Sequence, residues 1–283
     1  MRWRGGRQSD NIEDRRGLRV GRGAVGGGIG AIALALVAMY FGVDPSVVLQ
    51  MAGGGGGTTT TEVPFTESEQ EAEWRQIAGF TLAQTEETWS EQFAAMRGQY
   101  KPARLVLFRE AVESGCGVAD SGMGPFYCPA DEQIYIDLTF FDQMATQLQA
   151  GGDFAYAYVV AHEVGHHIQN LLGISGRVQE MRQRVGEVES NQLSVRIELQ
   201  ADCFAGLWGN HAGRAGVLEQ GDVEEALGAA AAIGDDRLQR NAGRSVVPDS
   251  FTHGTSEQRN RWLRRGLDTG SFEACDTFKS ADL

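Results

Sequence analysis

The chain has 283 residues, 42% of them hydrophobic, and a formal net charge of −13. That is enough for one sizeable globular domain with appendages, and the acidic balance argues against a body that binds nucleic acid.

Residues 1–23 carry seven arginines against Asp10, Glu13 and Asp14, a balance of +4 that leaves −17 for the remainder. From Ala24 to Val43 the sequence AVGGGIGAIALALVAMYFGV runs for 20 residues without a charge, about the length that crosses a bilayer as a helix. The arginines before it predict a cytoplasmic tail over 1–23, one transmembrane helix over 24–43 and an extracytoplasmic body beyond it. A cleaved export signal and a buried core helix are the alternatives. No small-x-small cleavage site closes the stretch, however, and its glycines weaken a soluble core helix. Gly26 and Gly30 make a small-xxx-small pair, which ordinary membrane glycine content explains as well as helix pairing does.

Residues 44–66, with GGGGGTTTTEVP inside, hold too few apolar groups to fold and read as a tether. The folded domain is expected over 67–283. Its first element is an amphipathic helix between Glu67 and Gln99, with Trp74, Ile77, Phe80, Leu82, Trp89, Phe93 and Met96 recurring at three and four. Two strands follow at 103–108 (ARLVLF) and 133–138 (QIYIDL). After Gly152 the pattern is helical over 153–172, about 177–210, 222–240 and 256–265, with glycine-containing breaks. Strands first and helices later predict an α+β fold, mainly helical, with a small antiparallel sheet packed on one side.

All four cysteines lie in the body, and an even number in an exported domain predicts disulfides. Of the three connectivities, Cys116–Cys128 with Cys203–Cys275 is favoured. The first pair closes the short loop CGVADSGMGPFYC, and the second ties the chain end to the interior. Free buried thiols are the alternative that spacing alone leaves open, and no CxxC suggests a cysteine zinc site.

The stretch YVVAHEVGHHIQNLLG, residues 158–173, holds three of the five histidines. His162 and His166 lie one helical turn apart on one face, so their rings can converge on one ion, and Glu163 stands at the edge of that face. This is the zinc HExxH spacing, in which the glutamate is the general base. The apolar flanks bury the helix, and two unpartnered imidazoles there would be costly, which favours a metal over hydrogen-bonded core histidines. His167 points about 100° away and reads as a polar residue at the helix margin.

A catalytic zinc needs a third protein ligand, and Glu198, Asp202, His211 and His253 are the candidates. In RIELQADCFAGLWG, Glu198 and Asp202 share one face of a second apolar helix. Two buried carboxylates there need a cation on one and an imidazole N–H on the other. Glu198 is therefore expected as the third ligand and Asp202 as the acceptor that orients a ligand histidine. His211 falls near a helix end, where capping is expected. Asp235 and Asp236 read as caps or an ion pair with Arg237, with a second metal site as the alternative.

These motifs, with ALGAAAAIGDDRLQ, HGTSEQRNRWLRRG and CDTF, resemble the predicted neutral zinc metallopeptidases, single-pass bacterial membrane proteins. The resemblance runs from the Arg-rich start onward. More distantly, HExxH followed by ExxAD is similar to the gluzincin membrane endopeptidases. The resemblance implies a zincin-like domain, Zn2+ held by His162, His166 and Glu198, Glu163 as base, and a place in the bacterial inner or plasma membrane. In the distant relatives a histidine before a late helix stands near the active site. FTHGTSEQR has that look, with His253 ahead of an N-cap at Thr255 or Ser256, so His253 is expected as a donor to a developing oxyanion or else as a structural histidine.

The expected function is a membrane-anchored zinc peptidase acting on peptides or proteins. A non-catalytic zinc scaffold and a cell-wall amidase are the alternatives. Glu163 argues against the scaffold, because a closed structural site has no use for a base, and no wall-binding repeat supports the amidase.

Overall fold

The computed structural model describes residues 1–21, 59–62 and 64–283. In chain order it forms β1 (Ile12–Asp14), β2 (Leu18–Gly21), β3 (Thr59–Glu62), α1 (Glu69–Ala95), β4 (Arg104–Phe108), β5 (Ala111–Ser114), β6 (Gly117–Asp120), β7 (Phe126–Cys128) and β8 (Gln133–Asp137). Helices follow: α2 (Thr139–Thr146), α3 (Asp153–Leu171), α4 (Ile174–Arg182), α5 (Glu187–Arg214), α6 (Asp222–Ala232), α7 (Asp235–Asn241) and α8 (Ser256–Thr269). The α+β, mainly helical class is as expected.

The helices begin where local chemistry starts them. Ser68 accepts the Glu71 N–H while the Glu71 carboxylate accepts the Ser68 N–H, a capping box that opens α1. Thr255 and Gln258 make the same reciprocal pair at the start of α8. The single helices expected over 177–210 and 222–240 are each split in two, at residues 183–186 and at Ile233–Gly234.

The main sheet corrects the expectation of an antiparallel one. Its order is β1-β4-β8-β7, with β1, β4 and β8 parallel and only β7 antiparallel, so the sheet is mixed. The reason lies in the two central strands, where Leu105–Phe108 and Ile134–Asp137 are buried without alternation, as strands covered on both faces require. Leu105, Leu107, Ile134 and Ile136 face the helical core. Val106, Phe108 and Tyr135 face a smaller cluster with Val112 and Ala119 of the β5–β6 hairpin. The disulfides pair as expected, Cys116 with Cys128 and Cys203 with Cys275. The first joins the hairpin to β7, and the second fastens the C-terminal segment to α5.

The domain boundaries also need correction. Residues 1–21 are part of the folded body, not a separate tail. β1 hydrogen-bonds β4, Trp3 is 5% exposed within the main core, and Arg16 is buried between Asp14 and Glu67. β2 pairs with β3, so the body also extends into the expected tether. The expected span over 24–43 lies outside the described residues, and among the described residues no helix is long and apolar enough to cross a membrane. A cytoplasmic tail and an extracytoplasmic body are incompatible with a β1–β4 ladder, because its strands must share one compartment. Cysteines introduced at the exposed positions Asp10 and Arg244 should therefore react with an impermeant maleimide from the same side in intact cells. Reaction from opposite sides would mean that the ladder does not form there.

Helices α3 and α5 carry the polar groups of interest, and small residues bring them together. A Cβ at Gly165 would lie 3.0 Å from the Ala201 Cα, so the two helices meet almost backbone to backbone. On its other side α5 crosses α8 at Gly206 and Gly266, where a Cβ would come within 2.1 Å of the Leu263 carbonyl or 2.0 Å of the Cys203 carbonyl. No side chain fits at that crossing. The three helices thus form one stack with α5 in the middle.

Candidate metal centre

The stack places one ligand atom each of His162, His166 and Glu198 within 4.8 Å of one another. His162 Nε2 is 3.2 Å from Glu198 Oε2, and His166 Nε2 is 3.5 Å from Glu198 Oε1. The two rings stand at 90° with centroids 4.8 Å apart, and each Nε2 faces one oxygen of the same carboxylate. In each histidine the other nitrogen is already committed. Nδ1 of His162 is 2.9 Å from Asp202 Oδ1, and Nδ1 of His166 is 2.9 Å from Gln169 Oε1. An Nδ1–H donated to an oxygen leaves a lone pair on Nε2, the form that binds a metal. Two imidazoles and a carboxylate suit zinc. The donor set therefore fits Zn2+.

Both orienting oxygens are themselves held. Gln169 donates its amide to the Ile197 carbonyl at 2.7 Å and to Gln200 Oε1 at 3.2 Å, which turns its oxygen toward His166. Asp202, with 0% exposure, accepts from Tyr158 O–H at 2.5 Å and from Arg259 Nε and Nη2, each at 2.9 Å. Arg259 Nη2 also donates to the Tyr158 oxygen at 3.1 Å. Asp202 thus stands at His162 Nδ1 with four hydrogen bonds on its carboxylate. Sequence pattern did not single out Tyr158, Gln169 and Arg259. Tyr158 and Gln169 lie at i−4 from His162 and i+3 from His166, so helical spacing could have found them. Nothing local connects Arg259, which is 57 positions from Asp202.

The electrostatics follow from burial and these partners. Without a metal, burial disfavours charge on His162, but its bonds to Asp202 and Glu198 outweigh that and raise its pKa to about 10, so an ion bound at Nε2 would take the place of a proton there. Burial likewise opposes charge on Glu198, yet His166 and His162 hold its pKa well below the usual carboxylate range. Glu163 goes the other way. It is 7% exposed, burial is the largest influence on it, and its pKa is raised. Its Oε2 is buried and accepts no hydrogen bond.

These groups open on a cleft of about 670 Å³ that His162, Glu163, His166, Glu198 and His253 all line. His253 is brought to it by a turn built on Asp235, whose Oδ2 accepts the backbone N–H of Thr252, His253 and Gly254 at 2.8, 2.6 and 3.0 Å. Asp235 Oδ1 is 3.2 Å from His253 Nδ1, and that bond, opposed by burial and aided by Glu198, raises the His253 pKa. Asp236 accepts the Ser256 N–H and pairs with Arg240, not with Arg237. Both aspartates organise the approach to α8.

His167 and His211 stay outside the cluster. His167 is fully buried, not marginal: Nε2–H donates to the Lys101 carbonyl at 2.7 Å and Nδ1 lies 3.1 Å from the Tyr127 hydroxyl, which ties α3 to β7. His211 pairs with Glu91 of α1 at 2.8 Å.

A family model described as "Putative neutral zinc metallopeptidase" matches residues 1–278, and that description implies Zn2+. The chain is 49% identical to the uncharacterized protein YpfJ of Escherichia coli K12, over 98% of this chain and 99% of that one. It is 45% identical to an uncharacterized protein of Mycobacterium tuberculosis H37Rv, over 65% of each chain. No solved structure matches it.

Proposed function

We infer that this chain, which belongs to the neutral zinc metallopeptidase family, hydrolyses peptide bonds, with Zn2+ held by His162, His166 and Glu198 and with Glu163 as general base. The observation that carries this reading is the Glu163 carboxylate. It is buried, lines the cleft beside three converging ligand atoms, and has an oxygen with no partner. A purely structural site has no use for such a group, whereas a base needs a free lone pair.

Bound zinc supplies a Lewis acid for the scissile carbonyl and lowers the pKa of a water to about 7. Glu163 takes the proton of the attacking water and delivers it to the leaving amine. Its raised pKa suits a group that must both take and return a proton. Asp202 and Gln169 hold the two imidazoles in the tautomer that leaves Nε2 free. His253, held at Nδ1 by Asp235, lines the same cleft and serves as a donor to the developing oxyanion. The substrate backbone has a matching surface in β7, which lines the cleft and pairs with β8 on one side only among the described residues. An extended peptide can add to such an edge through its main chain, within the short stretch that Pro125 and Pro129 bound. The two disulfides support a body outside the cytoplasm, and membrane attachment rests on the uncharged composition of residues 24–43.

Metal analysis of the full chain with a mixed peptide library tests this reading. One zinc per chain and hydrolysis that chelation abolishes and zinc restores are expected. Glu198→Gln should weaken zinc by more than about 100-fold, beyond the loss typical of supporting groups, and His211→Ala should not. Stoichiometric zinc without hydrolysis of any peptide would leave a zinc scaffold as the better account.

A further inference from the structure

The cleft is lined by two guanidinium groups, and they differ in what they are bonded to. Arg259 is saturated, with Asp202 across its Nε and Nη2, Tyr158 sharing Nη2, and the Ile233 carbonyl 3.5 Å from Nη1. Arg182, the last residue of α4, donates Nε–H to Ser190 Oγ at 3.0 Å and forms no ion pair among the described residues. Ser190 lies in the first turn of α5, so this bond fixes the plane of the half-buried guanidinium and leaves both of its NH2 groups unspent. A guanidinium oriented at Nε and free at both ends is a fork for an oxygen anion.

The other charges of the cleft are spoken for. Glu198 belongs to the histidines, Glu163 is the base, and His253 is paired with Asp235. Among the described lining residues Arg182 is thus the one positive charge with no ion pair, on a chain whose net charge of −13 otherwise repels acidic ligands. Elsewhere in the same cleft the walls include apolar groups open to solvent, with Met123 61% and Leu238 38% exposed.

We propose that Arg182 is a specificity-determining residue that selects peptide substrates carrying a carboxylate, with large apolar side chains of the same peptide packing on Met123 and Leu238. The proposal rests on the peptidase reading only in taking a peptide as the ligand. The carboxylate can come from a Glu or Asp side chain or from the peptide's C-terminus, and both present the same two oxygens.

The test reads binding as well as turnover. Fluorescent peptides are titrated by anisotropy against the full-length, zinc-loaded Glu163→Gln protein. One set is C-terminally amidated and carries either Glu or Gln at each position in turn; a second is neutral in its side chains with a free or amidated C-terminus. A carboxylate at one position should tighten binding about 10-fold over its neutral counterpart, as a charge-assisted hydrogen bond does. Adding Arg182→Gln should erase that preference and Arg182→Glu should invert it, while binding of neutral peptides stays within about 2-fold. Which set shows the gain identifies the source of the carboxylate. Equal binding across both sets, or a preference that survives Arg182→Gln, overturns the proposal. The peptidase reading fails separately, if wild-type protein binds acidic peptides through Arg182 and cleaves none of them.

Discussion

Glu163→Gln is expected to leave zinc content and thermal unfolding near wild type while slowing peptide hydrolysis by about 10² to 10⁴-fold, the usual loss on removing a general base. The side chain holds no zinc in the proposed site, because the three ligand atoms come from His162, His166 and Glu198. Folding should tolerate the change, since Glu163 Oε2 makes no hydrogen bond and burial already penalises its charge. An amide fills nearly the same volume but cannot take a proton from water. Metal analysis alongside turnover separates the two roles: lost zinc would make Glu163 a ligand or a structural group, and unchanged turnover would remove it as the base.

Arg259→Leu is expected to cost about 3–5 kcal/mol of stability, as removing one partner of a buried ion pair does. Asp202 would keep only Tyr158 and His162 as donors in a site with 0% exposure. Burial opposes charge on Asp202, and the charge of Arg259 together with the His162 bond overcomes it, so its pKa is lowered. A carboxylate with a depressed folded pKa contributes stability that is present above its unfolded value of about 3.9 and lost as pH falls through the folded one. Wild type and variant should therefore differ most near neutral pH and converge below about pH 4. Denaturant titrations across that range would show it, and a constant difference would mean that the loss comes from packing instead. Because Asp202 positions His162, the variant should also bind zinc about 10 to 100-fold more weakly. Arg259→Lys keeps the charge but loses the two-pronged contact, so it should recover stability only in part.

The role proposed for Asp202 depends on Arg259, and here local pattern and long-range contact part company. Along one helix the geometry is set by the chain itself. Residues three or four apart share a face whatever the surroundings, which is why HEVGH on α3 and the Glu198/Asp202 pair on α5 could be read directly. Tyr158 and Gln169 obey the same rule and were legible in principle. Neither carries a charge at neutral pH, so the cost of burying charge, which singles out His162, Glu198 and Asp202, gives no signal for them.

What the sequence by itself determined is the class of fold, the main helices, the two central strands and the helical spacing that puts candidate metal ligands on shared faces, all consequences of periodicity and the cost of burying polar groups; the even cysteine count made disulfides expected, and the fold chose their pairing. Tertiary structure alone decided the rest. It made the sheet mixed, because β4 and β8 are covered on both faces, a condition set by helices and a hairpin distant in sequence. It drew residues 1–21 into the body, where composition suggested a basic tail. Charge composition does not register that Trp3 fills the core or that Ile12–Asp14 extends a sheet begun 90 residues later. It also set Arg259 on Asp202 and left Arg182 without an ion-pair partner among the described residues. Which charges meet across a fold depends on where helices cross, and here the crossings are set by Gly165, Gly206 and Gly266, where only the absence of a side chain lets the backbones touch.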